Sequence, residues 1–137
     1  MNSILIDTNI VIDLLAKRKD FYEEAAALFS LSDKNKIILT ISALTFANTN
    51  YVLSKQISEN EAREILRKFK VLVEILPLDD KLIELALSDG AFADFEDGLQ
   101  YYSALENKVD VIITRNKKDF KNAKIPVLTA KEYLALV

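Results

Sequence analysis

The chain has 137 residues, half of them hydrophobic and 28% charged, which suits one folded domain with a real core, residues 1–137. It contains neither Cys nor His, which excludes disulfides, thiolate metal sites and the Ser-His-Asp and Cys-His mechanisms; an enzyme built from it must use carboxylates, Lys, Tyr or a hard cation held by oxygen. The net charge of −3 speaks against a broad basic coat for nucleic acid, and with no signal peptide or membrane-length apolar run a cytoplasmic chain without a membrane partner is expected.

Ile4-Leu5-Ile6 is a short apolar run ended by Asp7-Thr8-Asn9, the pattern of a buried strand turning into a helix over residues 10–17. Asp20 is placed to cap a second helix whose apolar stripe is Ala25, Leu28, Phe29 and Leu31. Residues 36–41 are rich in β-formers and give a second strand, after which Ser42 caps a helix reaching about Ser54. Ser58-Glu59-Asn60-Glu61 reads as a capping box for a helix carrying Ala62, Ile65, Leu66 and Phe69.

Residues 71–76 read as a third strand, stopped by Pro77, and Asp79 or Asp80 opens a helix through Leu87. Asp94 precedes a helix from about Phe95 to Asn107. Residues 110–113 form an apolar strand ending at Thr114; Val127-Leu128 is a short last strand, and Thr129 with Glu132 caps a final helix. Strands alternating with helices predict an α/β fold: a three-layer α/β/α sandwich around a parallel sheet of four or five strands.

In such sheets ligands bind at the carboxyl ends of the strands. The first strand delivers Asp7, Thr8 and Asn9 there, and the second feeds the helix that carries Thr45 and Asn48. The strand at 110–113 delivers Thr114, Arg115 and Asn116, with Asp119 one turn later; the helix before it begins Asp94-Phe95-Glu96-Asp97. Several carboxylates in one place repel each other unless a cation is present, and ligands that are all oxygen suit Mg²⁺ or Mn²⁺. Such a site can hydrolyse a phosphodiester without any His.

The segment Ile4 to Asn9 resembles the opening "LIDTN" signature of PIN domains. Residues 94–100 (DFEDGLQ) are similar to that family's central acidic helix start, residues 112–120 (IITRNKKDF) to its closing "TRN..DF" block, and Ser42-Ala43-Leu44-Thr45 to its middle segment. Each block alone is weak, but the blocks occur in the family's order over residues 4–120.

The resemblance implies an endoribonuclease that uses Mg²⁺ or Mn²⁺, with Asp7 as central metal ligand, Asp97 and Asp119 as further acids, and Asp94 aimed at the same ion. Thr114 and Asn116 would bond the acids or the attacking water, and Arg115, Lys117 and Asn9 would meet substrate. It also implies a toxin silenced by a small antitoxin, and a homodimer, with residues 46–53 around Tyr51 as an apolar interface patch. In one place the chain departs from the pattern: Asn48 stands where many members carry Glu, with Asp94 or Glu96 as possible compensation. Three alternatives stay open: an RNA-processing nuclease without an antitoxin, a catalytically weak PIN-like scaffold that binds RNA or protein, and, with a poorer fit, a receiver-like phosphoacceptor domain.

Plainer roles compete for the same residues. Asp7 would serve as a simple helix cap, Asp94, Glu96 and Asp97 as acids matching the helix dipole in a first turn, and Asp13 as a solvent-facing or locally capping acid. Lys117, Lys118, Lys121 and Lys124 read as a solvated loop or as a rim that steers phosphate. Phe21, Phe29, Phe46, Tyr51, Phe69, Tyr101 and Tyr102 read as core or interface rather than base-stacking platforms.

Overall fold

The computed structural model describes residues 2–92 and 94–137. Five parallel strands form its sheet: β1 (Asn2–Ile6), β2 (Ile37–Ser42), β3 (Glu74–Leu76), β4 (Val111–Ile113) and β5 (Val127–Leu128), in the order β3-β2-β1-β4-β5. Seven helices accompany them: α1 (Thr8–Leu15), α2 (Tyr22–Asp33), α3 (Ala43–Gln56), α4 (Glu59–Lys70), α5 (Asp80–Ser88), α6 (Phe95–Glu106) and α7 (Ala130–Leu134). This is the expected α/β sandwich.

The alternation of side chains along each strand builds two cores. Ile4 and Ile6 of β1 share one face with Ile37, Leu39 and Ile41 of β2 and Ile113 of β4, covered by Val11, Leu28, Phe29, Phe69 and Tyr133. Leu5 and Ile112 point the other way, under Tyr101, Ala104 and Phe120. Central strands buried on both faces are nearly continuous apolar runs, which is why β1 and β4 stood out in the sequence; the buried Thr40 of β2 is accommodated by donating to Ile4 O at 2.9 Å.

The strand order carries the functional consequence. From β1 the chain winds outward to β2 and β3, then returns to place β4 on β1's other side. The order therefore reverses between β1 and β4, and a crevice opens there at the strands' carboxyl ends. Asp7 follows β1 and Thr114 follows β4, so the topology sets both at its edge.

Several local readings are corrected. Asp20 does not cap α2: the N-cap is Phe21, which offers no side-chain bond. The third strand is shorter than read, because the Val71 and Leu72 amides bond back to Lys68 and Phe69 to close α4, leaving only Glu74–Leu76 to pair. Ser58 caps α4 through the Glu61 amide, yet only α7 forms a reciprocal box, between Thr129 and Glu132. Residues 46–53 are no apolar patch. Phe46 packs on Phe69 and Leu53 is buried, which leaves Tyr51 as the one large exposed apolar side chain of the stretch, with the Lys55 ammonium over its ring. A 3₁₀ turn, Lys117–Phe120, had no counterpart in the sequence reading.

Helices α1, α2 and α6 each end in a Schellman loop. At α1 the Lys17 amide bonds Leu14 O (3.3 Å) and the Arg18 amide bonds Asp13 O (3.1 Å), with Lys17 left-handed at φ 52°. This loop returns the chain so that Arg18 lies beside Asp13. A lysine pays a steric cost in that conformation that glycine does not. Lys17→Gly is therefore expected to raise stability by about 0.5–1 kcal/mol despite the added freedom of the unfolded chain. Thermal melts of the two proteins check this, and an unchanged or lower midpoint refutes it.

Candidate active site

Asp7 is the hinge between β1 and α1. Its amide still donates to Ile113 O (3.0 Å), extending the β1–β4 ladder, while its carbonyl already accepts from Ile10. Its carboxylate is the N-cap of α1, so the capping role and a place in the site coexist in one residue. Oδ1 accepts from the Thr8 amide (2.8 Å) and, at 3.4 Å, from Gln100 Nε2. Oδ2 accepts from Thr114 Oγ1 (2.7 Å) and, at 3.4 Å, from Asn9 Nδ2.

Around Asp7 lies a cleft of about 280 Å³. Of the residues singled out in the sequence, it gathers Asp7, Asn9, Asn48, Asp97, Asn116 and Asp119 from four separate stretches of chain. Glu96 joins them, whereas Asp94 does not: its carboxylate caps α6 at the Glu96 amide and lines an adjoining cleft. Thr114 is buried behind Asp7, its hydroxyl held from the other side by the Asn116 amide at 3.1 Å.

Two residues assigned to substrate stand elsewhere. The Arg115 guanidinium makes a two-pronged bond to Asp13, at 2.8 and 3.1 Å, and lies 4.0 Å from the Phe21 ring centroid. Lys117 is engaged by Glu132 at 3.0 Å. Asp13, expected at the surface, is only 1% exposed; a buried carboxylate needs such partners, and Arg18 adds a third contact at 3.6 Å.

The structure also supplies residues that the sequence reading left without a role. Arg18 is the arginine that lines the cleft. Gln100 is 3% exposed and its amide nitrogen reaches Thr45 Oγ1 (3.2 Å), Thr8 Oγ1 (3.5 Å) and Asp7. The hydroxyls of Thr8 and Thr45 are 3.0 Å apart. Gln100 lies one helical turn after Asp97, so that spacing could have flagged it; nothing local announces Arg18.

The donors fit a divalent cation. Burial, and then repulsion from Asp94, Asp119, Asp7 and Glu96, pushes the Asp97 carboxyl up to about 7. Asp7 is also raised, by burial first, with the Thr114 and Thr8 hydrogen bonds pulling it back. Two buried amide oxygens, Asn9 Oδ1 and Gln100 Oε1, have no hydrogen-bond partner among the described residues. The set is all oxygen, from carboxylates and amides, which suits a hard cation such as Mg²⁺ that keeps several of its waters.

A raised carboxyl pKa means that the folded state holds its proton more tightly than the unfolded chain does. The stability it confers at low pH is lost as pH rises through about 7. In chelator, the protein is expected to melt at a lower temperature at pH 8 than at pH 5. Asp97→Asn should flatten that difference, and Mn²⁺ should offset it in the wild type alone. Parallel pH profiles of the two proteins in thermal melts would contradict this account.

Comparison with known proteins agrees with the geometry. The profile of the PIN domain matches residues 3–118. "Ribonuclease VapC1" of Aquifex aeolicus (strain VF5) is 31% identical over 139 residues, covering 97% of this chain and 95% of that one. A toxin–antitoxin complex from Klebsiella pneumoniae superposes with a TM-score of 0.69 at 26% identity, covering 93% of this chain and 97% of that chain. FitAcB from Neisseria gonorrhoeae shares the fold at a TM-score of 0.71 and 18% identity, covering 93% and 98%.

Proposed function

The chain belongs to the PIN-domain family, and on that premise we propose that it is a divalent-metal-dependent endoribonuclease acting as the toxin of a toxin–antitoxin pair. The observation that carries this reading is the single cleft in which Asp7, Asp97 and Asp119 meet. The partner is proposed from the toxin–antitoxin complex of Klebsiella pneumoniae, a relative 26% identical. A homodimer is proposed from the family resemblance alone. Among the described residues no helix is long and apolar enough to cross a membrane.

Mg²⁺ or Mn²⁺ would be held by Asp7, Asp97 and Asp119, with Asp94 reaching Asp97 electrostatically from the neighbouring cleft. When bound, such an ion supplies positive charge to a phosphoryl oxygen and acidifies water. The chain's own residues do the rest. Thr114, Thr8, Asn9 and Gln100 fix the Asp7 carboxylate so that it presents one orientation. Asn48 and Asn116 line the cleft with amides that can both donate to and accept from a water or a phosphate oxygen.

Asn48 brings no charge where many members carry Glu, and Glu96 is the acid in the cleft available to compensate. Arg18, held by Asp13, is the cation that faces substrate phosphate there. Arg115 instead supports the site from behind by neutralising Asp13.

Purified protein incubated with total RNA is expected to cleave only with Mn²⁺ or Mg²⁺, as end mapping would read. Asp7→Asn should keep its circular dichroism but lose more than about a hundredfold in rate, exceeding the ~10–100-fold cost of losing a supporting group. Gln100→Leu should fall within that supporting range. Full activity in Asp7→Asn would end the assignment. Expression should arrest growth, relieved by a small protein encoded beside it; arrest without relief would favour an RNA-processing nuclease.

A further inference from the structure

Asp97 and Asp119 also line the second cleft, of about 500 Å³. One of its walls is the turn at Gly90 and Ala91, and the other is the 3₁₀ turn with its cap, which contributes Lys118 and Lys121. Asp97 and Asp119 thus form a ridge between the two clefts, which side by side make up a trough. The second is within the ordinary range of small-ligand pockets, roughly 300–1,000 Å³.

Its walls are tied to each other. Asn122 Nδ2 donates to Ala91 O at 2.8 Å, joining the two turns directly. Asp89 accepts from the Ala91 amide (2.8 Å) and from Tyr102 Oη (2.6 Å), which pins the first turn to α6. A cleft held this way loses little freedom when a ligand enters.

Its charges are divided. Lys117 is engaged by Glu132, but neither Lys118 nor Lys121 makes an ion pair with any described residue. The same cleft is lined by the carboxylates of Asp94 and Asp97 from the start of α6 and of Asp119 from the lysines' own turn. The acids outnumber the lysines, so the cleft alone repels an anion. A divalent ion at the ridge reverses that balance. A polyanion with one charge at the Asp7 cleft and its next along the trough meets both requirements at once.

We infer that this second cleft is a flanking-phosphate subsite, in which Lys118 and Lys121 hold the backbone phosphate of single-stranded RNA next to the one being cut. The inference rests on the nuclease reading of the Asp7 cleft. It assigns the lysine run unequally: Lys118 and Lys121 to the substrate, Lys117 to the fold.

The test is equilibrium binding of a fluorescein-labelled single-stranded RNA decamer, in Ca²⁺, over a range of KCl concentrations. Lys118→Ala/Lys121→Ala is expected to bind about tenfold more weakly, with the slope of log affinity against log salt shallower by about one. Lys34→Ala/Lys36→Ala, at the amino ends of the strands, should match wild type. Equal affinity and slope in the Lys118/Lys121 variant would overturn the subsite, as would a wild type that binds no RNA. So would an acidic peptide that competes as well as RNA and with the same lysine dependence. Lysine-dependent binding without Mn²⁺-dependent cleavage would uphold the two lysines as an RNA-phosphate contact while ending the nuclease reading and, with it, the place of that contact beside a cut bond. Cleavage with lysine-independent binding would do the reverse.

Discussion

A carboxylate stripped of most of its water must be given other donors, and the neighbourhood of Asp7 is organised by that requirement. A backbone amide, a threonine hydroxyl and two side-chain amides converge on its two oxygens. Those donors come from α1, the β4 end and α6, so satisfying one acid welds three parts of the chain at the reversal of the sheet. Even so, its proton is held more tightly than in an exposed aspartate, because burial outweighs the bonds. The remaining deficit is what a cation would relieve.

The same logic repeats towards the other end of α1, at Asp13. Its carboxylate, more deeply buried than Asp7, is answered by Arg115 with two bonds and by Arg18 with a looser one. The tighter partner is drawn out of the cleft and laid on Phe21, while the looser one stays in it. A buried pair of this kind adds little net stability against an apolar equivalent, yet it fixes where charges stand. Here it decides which of two arginines faces the substrate side.

Electrostatically the trough is a set of carboxylates facing sparse cations. Asp97 is exposed enough to titrate and close enough to Asp94, Asp119 and Asp7 to resist losing its proton. The charge that would bind nucleic acid is therefore conditional on an ion at the ridge, which reconciles a chain of net charge −3 with a polyanionic substrate.

The apolar runs at 4–6 and 111–113, the cap at Ser42 and the box at Thr129 were legible in the sequence because each is governed by neighbours a few positions away. So was the set Asp7, Asp97 and Asp119, since motif order survives without coordinates. What the sequence could not decide was allegiance between distant side chains: that Arg115 would turn to Asp13, Lys117 to Glu132, and Gln100 to Asp7 and Thr45. A charged side chain goes to whichever partner lowers its desolvation cost most, and the candidates lie 15 to 102 residues away. Local pattern therefore determined the central strands, most of the caps and the acids, and only the packed structure decided which cations were left for the cleft.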